Sequence, residues 1–203
     1  MAIVNLIKRI TNNKEKYHEY VKSSDSLIYV KEEYQLDSSG ADCLALSVGE
    51  CWYDNGRYIK IGEKGVKVRR RSTVVIVTQE SIALPLNIYG LIFGSGKNIY
   101  SGGFVSNGKI DPGFMGRLKI AYYNGSNKNV YLKSGERIGY VVFLEAEREC
   151  KSLNIYDSMK DPVIVRLGKW ERFKNFLFRN AYIIIPSLIS ILGIITSIIL
   201  GGN

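Results

Sequence analysis

Gly108-Lys109-Ile110-Asp111-Pro112-Gly113-Phe114-Met115-Gly116 is the run on which the reading of this chain turns. Proline followed by glycine is a reverse turn: proline presets φ at the first corner, and glycine supplies the positive φ that the second corner demands. A carboxylate stands immediately before the turn and an aromatic ring immediately after it. This order can set an acid or base at a strand end against a ring, and it is equally the composition of an ordinary β-turn.

The flanks of that run settle the fold class. Val74–Thr78 (VVIVT), Tyr89–Phe93 (YGLIF), Leu118–Tyr123 (LKIAYY) and Tyr140–Leu144 (YVVFL) are short runs of β-branched and aromatic residues. Ser38-Ser39-Gly40, Asp54-Asn55-Gly56, Gly62 to Gly65, Asn107-Gly108 and Asn124-Gly125 separate such runs with turn residues. Strands at this spacing predict an all-β sandwich or barrel over residues 25–147. Ahead of it, Ile3, Ile7 and Ile10, with Val4 and Leu6 beside them, have helical spacing and predict an amphipathic N-terminal helix within residues 1–24. No internal repeat is visible. Residues 148–180 read as a connector followed by a basic, aromatic segment.

Residues 181–200, AYIIIPSLISILGIITSIIL, carry no charge. At 1.5 Å per residue such a helix is ~30 Å long, the thickness of a bilayer's hydrocarbon core. A soluble core helix of that length would show a polar stripe, so the expectation is a transmembrane helix, with Pro186 tolerated inside it. Arg166, Lys169, Arg172, Lys174 and Arg179 precede the run. The positive-inside rule then predicts a single-pass membrane protein whose N-terminal domain is cytoplasmic. Trp170, Phe173, Phe176 and Phe178 interleave with those cations and predict a segment lying along the membrane surface. Ser187, Ser190, Gly193 and Ser197 fall on roughly one face of the span, which suits close packing of several spans.

Other classes are excluded by composition. One histidine, His18, and three cysteines, Cys43, Cys51 and Cys150, offer neither metal-ligand spacing nor a Ser-His-Asp set. The formal charge of +9 comes partly from the segment before the span, where it suits an anionic leaflet. A second basic cluster, Lys64, Lys67, Arg69, Arg70 and Arg71, reads as a solvated strand edge. No recognition motif accompanies it, so nucleic acid is not an expected partner. The first ten residues lack the features of a secretory leader.

The chain also resembles the trimeric dUTPase and dCTP deaminase superfamily. Ile110-Asp111-Pro112-Gly113-Phe114-Met115-Gly116 looks like its signature, and other pieces follow the family order. Ser39-Gly40-Ala41-Asp42-Cys43 resembles the first motif. Thr78-Gln79-Glu80 with Leu84-Pro85 and Tyr89-Gly90 resembles the approach to the phosphate-binding motif. Gly135-Glu136-Arg137-Ile138-Gly139 resembles the late motif. The likeness covers residues 33–146. It implies a distorted jelly-roll β-barrel, a homotrimer, and a nucleotide site at each subunit interface. On the same resemblance Asp111 is the water-activating carboxylate. Ser95, Gly96, Lys97, Phe114, Asp42 and Arg137 are the nucleotide-binding positions, with Phe114 under the deoxyribose. The only cofactor implied is Mg2+ carried with a bound nucleotide.

Four departures from the family pattern bear on chemistry. Gly94 stands where the phosphate-binding arginine is expected, removing a bidentate donor; Lys97, Lys109 and Arg69 to Arg71 are the candidate substitutes. Ala121 stands where deaminases carry a glutamate, and alanine cannot shuttle a proton. Tyr140 replaces a frequent glutamine, and the anchor stands where dUTPases have a glycine-rich closing arm. The expectation is therefore a membrane-anchored nucleotide-binding protein that has lost catalysis and acts as a nucleotide-responsive effector, in antiphage defence for instance. An active membrane-bound dUTP or dCTP enzyme, with triphosphate hydrolysis favoured over deamination, and a trimeric scaffold without ligand are the competing expectations.

Overall fold

In the computed structural model, residues 2–20, 26–31, 34, 36, 42–146, 163–166 and 168–201 are described. Ser39, Gly40, Ala41, Cys150 and the connector over 147–162 lie outside the described residues. The chain divides into two units, Met1–Val165 and Arg166–Asn203.

The first unit begins β1 (Ala2–Ile3), α1 (Leu6–Arg9), β2 (Ile10–Thr11), α2 (Lys14–Tyr20), β3 (Ile28–Val30), β4 (Cys43–Asp54), β5 (Arg57–Lys60) and β6 (Val66–Val68). It continues β7 (Ser72–Ala83), β8 (Ile88–Gly94), α3 (Gly96–Tyr100), β9 (Gly103–Val105), β10 (Gly108–Ile110), β11 (Met115–Asn124), β12 (Val130–Leu132), β13 (Arg137–Glu145) and β14 (Ile164–Val165). The second unit holds α4 (Lys169–Arg179) and α5 (Ala181–Gly201).

All four strand runs read from the sequence lie inside strands β7, β8, β11 and β13. Their neighbours run β10-β8-β13-β4-β7-β11-β9, antiparallel throughout, with a separate β12-β6 ribbon. β4 folds the sheet upon itself. Its first half pairs with β13 (Ser47 opposite Arg137), and its second half pairs with β5 and β7 (Trp52 opposite Ile59 and Ile76). Along β11, Leu118, Ile120, Tyr122 and Asn124 point inward at every second position, as a half-buried strand requires. Leu118, Ile120 and Tyr122 meet Leu44, Leu46, Val48, Ile76, Ile82, Val141 and Phe143 in one core.

The expected N-terminal helix over 2–22 does not form as one element. Asn5 caps a single turn, its side chain accepting the Ile7 N–H (3.1 Å), and Asn13 caps α2 by accepting from Glu15 and Lys16. On either side of the first turn the backbone joins the sheet, Ile3 opposite Leu144 and Ile10 opposite Ile28. The isoleucine stripe is not a buried face: Ile7 is 70% exposed, whereas Val4 and Leu6 are buried.

The helix expected over 181–200 forms, but the expectation that it crosses a membrane is not supported. Ala181–Gly201 is one continuous helix containing Pro186 and no charged residue. Among the described residues, however, no helix is long and apolar enough to cross a membrane; the described side chains of α5 end at Ser197.

Candidate functional site

The place where β4 passes from β13 to β7 opens a cleft of about 610 Å³. Its floor comes from β7. At Thr78-Gln79-Glu80 the β7–β11 ladder is interrupted, the register shifting between Arg117 and Lys119. Side chains satisfy the freed backbone groups. Thr78 Oγ1 accepts the Leu118 N–H (3.0 Å) and donates to the Glu80 carbonyl (2.9 Å), while Arg117 donates to the carbonyls of Thr78 (3.2 Å) and Gln79. Glu80 is only 5% exposed. Its two carboxylate oxygens accept the Ser47 N–H at 3.2 and 2.9 Å, which fixes the carboxylate beneath the cleft.

One wall is the end of β8. The Ser95 N–H and the Asn98 side-chain amide both donate to the Ile138 carbonyl (3.2 Å each). Ser95 caps α3, its hydroxyl accepting the Asn98 N–H (3.4 Å). The segment after Gly94 is thus a capped helical turn, with Ser95 and Asn98 both buried. The other wall is the turn into β13. Gly135 adopts φ +80°, its N–H donates to Val48 O (2.7 Å), and Val48 N–H donates to Glu136 O (2.9 Å). The Glu136 side chain accepts the Lys133 N–H (3.2 Å). The Arg137 guanidinium lies 5.7 Å from the Tyr140 ring and 3.4 Å from its hydroxyl.

Of the residues expected at the site, Ser95, Gly96, Lys97 and Arg137 meet in this cleft. Asp111, Phe114 and Asp42 do not line it. The Asp111 side chain is 63% exposed and pairs with Lys109 at 2.7 Å. Its carbonyl accepts the Phe114 N–H (3.1 Å) across a turn with Gly113 at φ +77°, the expected Pro-Gly turn. Phe114 packs half-buried on the core, and its carbonyl accepts the Leu84 N–H (2.9 Å). Asp42 is exposed at the turn before β4. The acidic lining residues, Glu80 and Glu136, are absent from the sequence-based site. The polar stretch Thr78-Gln79-Glu80-Ser81 interrupting the apolar run Val74–Val77 was the available signal for Glu80.

At position 94 a Cβ would stand 3.0 Å from Val105 Cγ2 and 3.9 Å from Ile99 Cδ1, so this position faces apolar side chains. Ala121 pairs with Val75 in the sheet. Burial pushes the Cys51 thiol above its ordinary value, against the opposing pull of the Arg117 guanidinium, so it is no ready nucleophile. Among the described residues no cluster of three or more His, Cys, Asp or Glu side chains can hold a metal ion.

A dUTPase family model matches residues 62–164. The dCTP deaminase of Thermococcus kodakarensis is 32% identical over 127 residues, covering 62% of this chain and 80% of that protein. The dCTP deaminase of Pyrococcus horikoshii is 33% identical over 122 residues, covering 60% and 76%. The deoxyuridine 5'-triphosphate nucleotidohydrolase of Yaba monkey tumor virus is 26% identical over 121 residues, covering 59% and 79%. Among solved structures, the dUTPase of Staphylococcus bacteriophage 80alpha aligns at TM-score 0.46 and 17% identity, over 64% of this chain and 98% of that one.

Proposed function

The chain belongs to the dUTPase family, within the dUTPase and dCTP deaminase superfamily, and on that premise we propose that its cleft binds a deoxynucleotide without turning it over. The β domain is a nucleotide-metabolising domain by descent. In this reading it is a membrane-anchored, nucleotide-responsive effector. The observation that carries the loss of catalysis is position 94, where glycine faces Val105 and Ile99. Phosphoryl chemistry needs cations fixed on the charge that develops, and no arginine can project from there without displacing that packing. Ala121 offers no proton shuttle.

Asp111 and Phe114 lie off the cleft of their own chain. A complete family site therefore calls for a second copy to present them, which supports a homotrimer with nucleotides held between subunits. Magnesium would enter on the nucleotide's phosphates, since the described residues provide no cage for it. Membrane attachment rests on the second unit. Trp170, Phe173, Phe176 and Phe178 of α4 are exposed beside its cations, and the hydroxyls of Ser187 and Ser190 in α5 donate to the Ile183 and Pro186 carbonyls (2.7 and 2.9 Å). Internal bonds of that kind are what hydroxyls need in an apolar medium. The basic flank supports a cytoplasmic side for the β domain under the positive-inside rule.

The test is a nucleotide panel on the purified full chain, with thermal stability and release of pyrophosphate and ammonia followed together. A bound nucleotide at a hundred times its Kd should add about 2.7 kcal/mol, with no product formed. No stabilisation by any nucleotide overturns the binding reading. A second reading, an active enzyme, is favoured by the 32% identity to a dCTP deaminase and by the presence of Asp111. If it holds, Asp111→Asn should lower turnover by at least ~100-fold, as loss of a general base does.

A further inference from the structure

The densest charge on the β domain lies outside the cleft. β6 and β12 form a two-stranded ribbon, with Val66 opposite Leu132, Lys67 opposite Tyr131 and Val68 opposite Val130. Val66, Val68 and Leu132 are buried, which turns Lys67 and Tyr131 outward side by side. Lys64 and Lys133 flank the ribbon at one end, and Arg69, Arg70, Arg71 and Lys128 flank it at the other. All seven cations are exposed. Over 63–71 and 124–133 the only acid is Glu63, so these segments carry +6 of the chain's +9. Among the described residues none of the seven side chains takes part in a hydrogen bond or ion pair, and none lines the cleft.

Two features separate this strip from an ordinary solvated strand edge. The loops that carry its cations are fixed from beneath. Asn124 is buried, and its side-chain amide donates to the carbonyls of Val68 and Arg69 (3.2 Å each) and Lys128 (2.8 Å), which joins the two loops. The Ser72 hydroxyl donates to the Arg69 carbonyl (2.8 Å), and the Arg70 N–H donates to the Asn129 side chain (3.3 Å). The second feature is Arg71, which stands at φ +52°. Glycine and asparagine adopt that left-handed conformation more readily, so arginine there is held under backbone strain, of the kind that clusters at functional sites. Crowding seven like charges also opposes folding, and a bound polyanion would relieve both the repulsion and its cost.

We propose that the ribbon is a docking surface for the phosphate backbone of a nucleic acid, engaged without regard to sequence. Phosphates recur about every 3.4 Å of axis along each strand, and a β-strand advances by about the same distance per residue. Cations in the middle of the ribbon and at both its ends can therefore meet several phosphates at once. Arginine forks bind phosphate oxygens two at a time, and Tyr131 beside Lys67 offers a ring on which a base can stack. Backbone binding needs none of the base-reading motifs that the sequence lacks. A lipid surface fits less well, because the ribbon's aliphatic side chains are turned inward and only Tyr131 remains to enter an interface. A second copy of the chain, itself at +9, supplies no counter-charge.

The experiment is fluorescence anisotropy of the full chain in detergent with a labelled single strand and a labelled duplex, each of mixed sequence. Raising salt from about 50 to about 200 mM should weaken binding by at least about tenfold, as release of counterions from three or more phosphates requires. Arg69→Gln with Arg70→Gln should flatten the slope of log K against log salt by about 1.5, equally for unrelated sequences. Arg71→Gly removes a cation and the strain together. It should leave the midpoint of thermal unfolding unchanged or higher while weakening nucleic-acid binding about fivefold, a pairing that a structural role for Arg71 would not produce. The same variants are titrated with vesicles of phosphatidylcholine and phosphatidylserine. If the double substitution weakens vesicle binding and leaves nucleic-acid binding as it was, the ribbon serves a lipid surface and the proposal is overturned. Absence of binding to both polynucleotides, or a salt slope that none of these substitutions changes, overturns it as well. None of these outcomes bears on the nucleotide cleft, whose residues stay unaltered.

Discussion

Alanine at position 139 is expected to destabilise the β domain by about 3–5 kcal/mol, a large part of the 5–15 kcal/mol that holds a typical domain together. Gly139 lies in β13 between two strands, opposite Leu46 of β4 and Gly94 of β8. A Cβ there would stand 2.3 Å from the Phe93 carbonyl oxygen and 3.4 Å from its carbon. The obstacle is backbone, so no side chain can rotate away and the strands themselves must part. That movement would also disturb the Ile138 carbonyl, which holds both the Ser95 N–H and the Asn98 amide. Nucleotide binding should therefore weaken along with stability. Chemical denaturation reads the first effect as a lower midpoint at unchanged slope. Gly135→Ala is the comparison. Gly135 has φ +80° and nothing within 4 Å of its would-be Cβ, so only about 1 kcal/mol of backbone strain is expected. If the two substitutions cost the same, the close approach of β8 and β13 is not what requires Gly139.

The contrast between those glycines shows what sequence can and cannot disclose here. Strands were legible because β-branched runs between Gly and Asn turns leave few alternatives, and all four such runs lie in the sheet. The N-terminal isoleucines misled because spacing of three and four suits a helix only if nothing interrupts it. Asn5 and Asn13 are caps, and caps inside a periodic run are interruptions. Ser95, Gly96, Lys97 and Arg137 were found because they belong to two recognisable segments, and the fold brings those segments together at the Ile138 carbonyl. Glu80 and Glu136 were missed for a physical reason. Whether a glutamate in a strand meets solvent or a cleft depends on the interruption between Arg117 and Lys119 and on where β4 changes partners. Neither is a local property. Gly94 was visible as a missing arginine, but its contact with Val105, some ten residues on, was not.

If α5 inserts as proposed, arginine at both Ile191 and Ile194 should abolish stable insertion of the full chain into membranes. Both side chains are exposed on α5, which carries no charge from Ala181 to Gly201. At 1.5 Å per residue that helix is about 30 Å long, and the proposed attachment takes it as the inserted segment. An arginine near the centre of a span costs about 2.5–3.5 kcal/mol on insertion scales, so two together shift partitioning by three or more orders of magnitude. The unaltered chain should stay in the membrane pellet through alkaline carbonate extraction, and the doubly substituted chain should leave it. The two helices then separate two modes of attachment. α4 keeps Trp170, Phe173 and Phe176 beside its cations, so the substituted chain should still bind anionic vesicles, and high salt should release it. Ser187→Ala with Ser190→Ala should change neither result, because those hydroxyls already bond to the carbonyls one turn back. Release of the unaltered chain by carbonate would make α5 a surface helix. The effector would then be peripheral, held by α4, and a response to nucleotide would have to reach the membrane through its surface rather than across it.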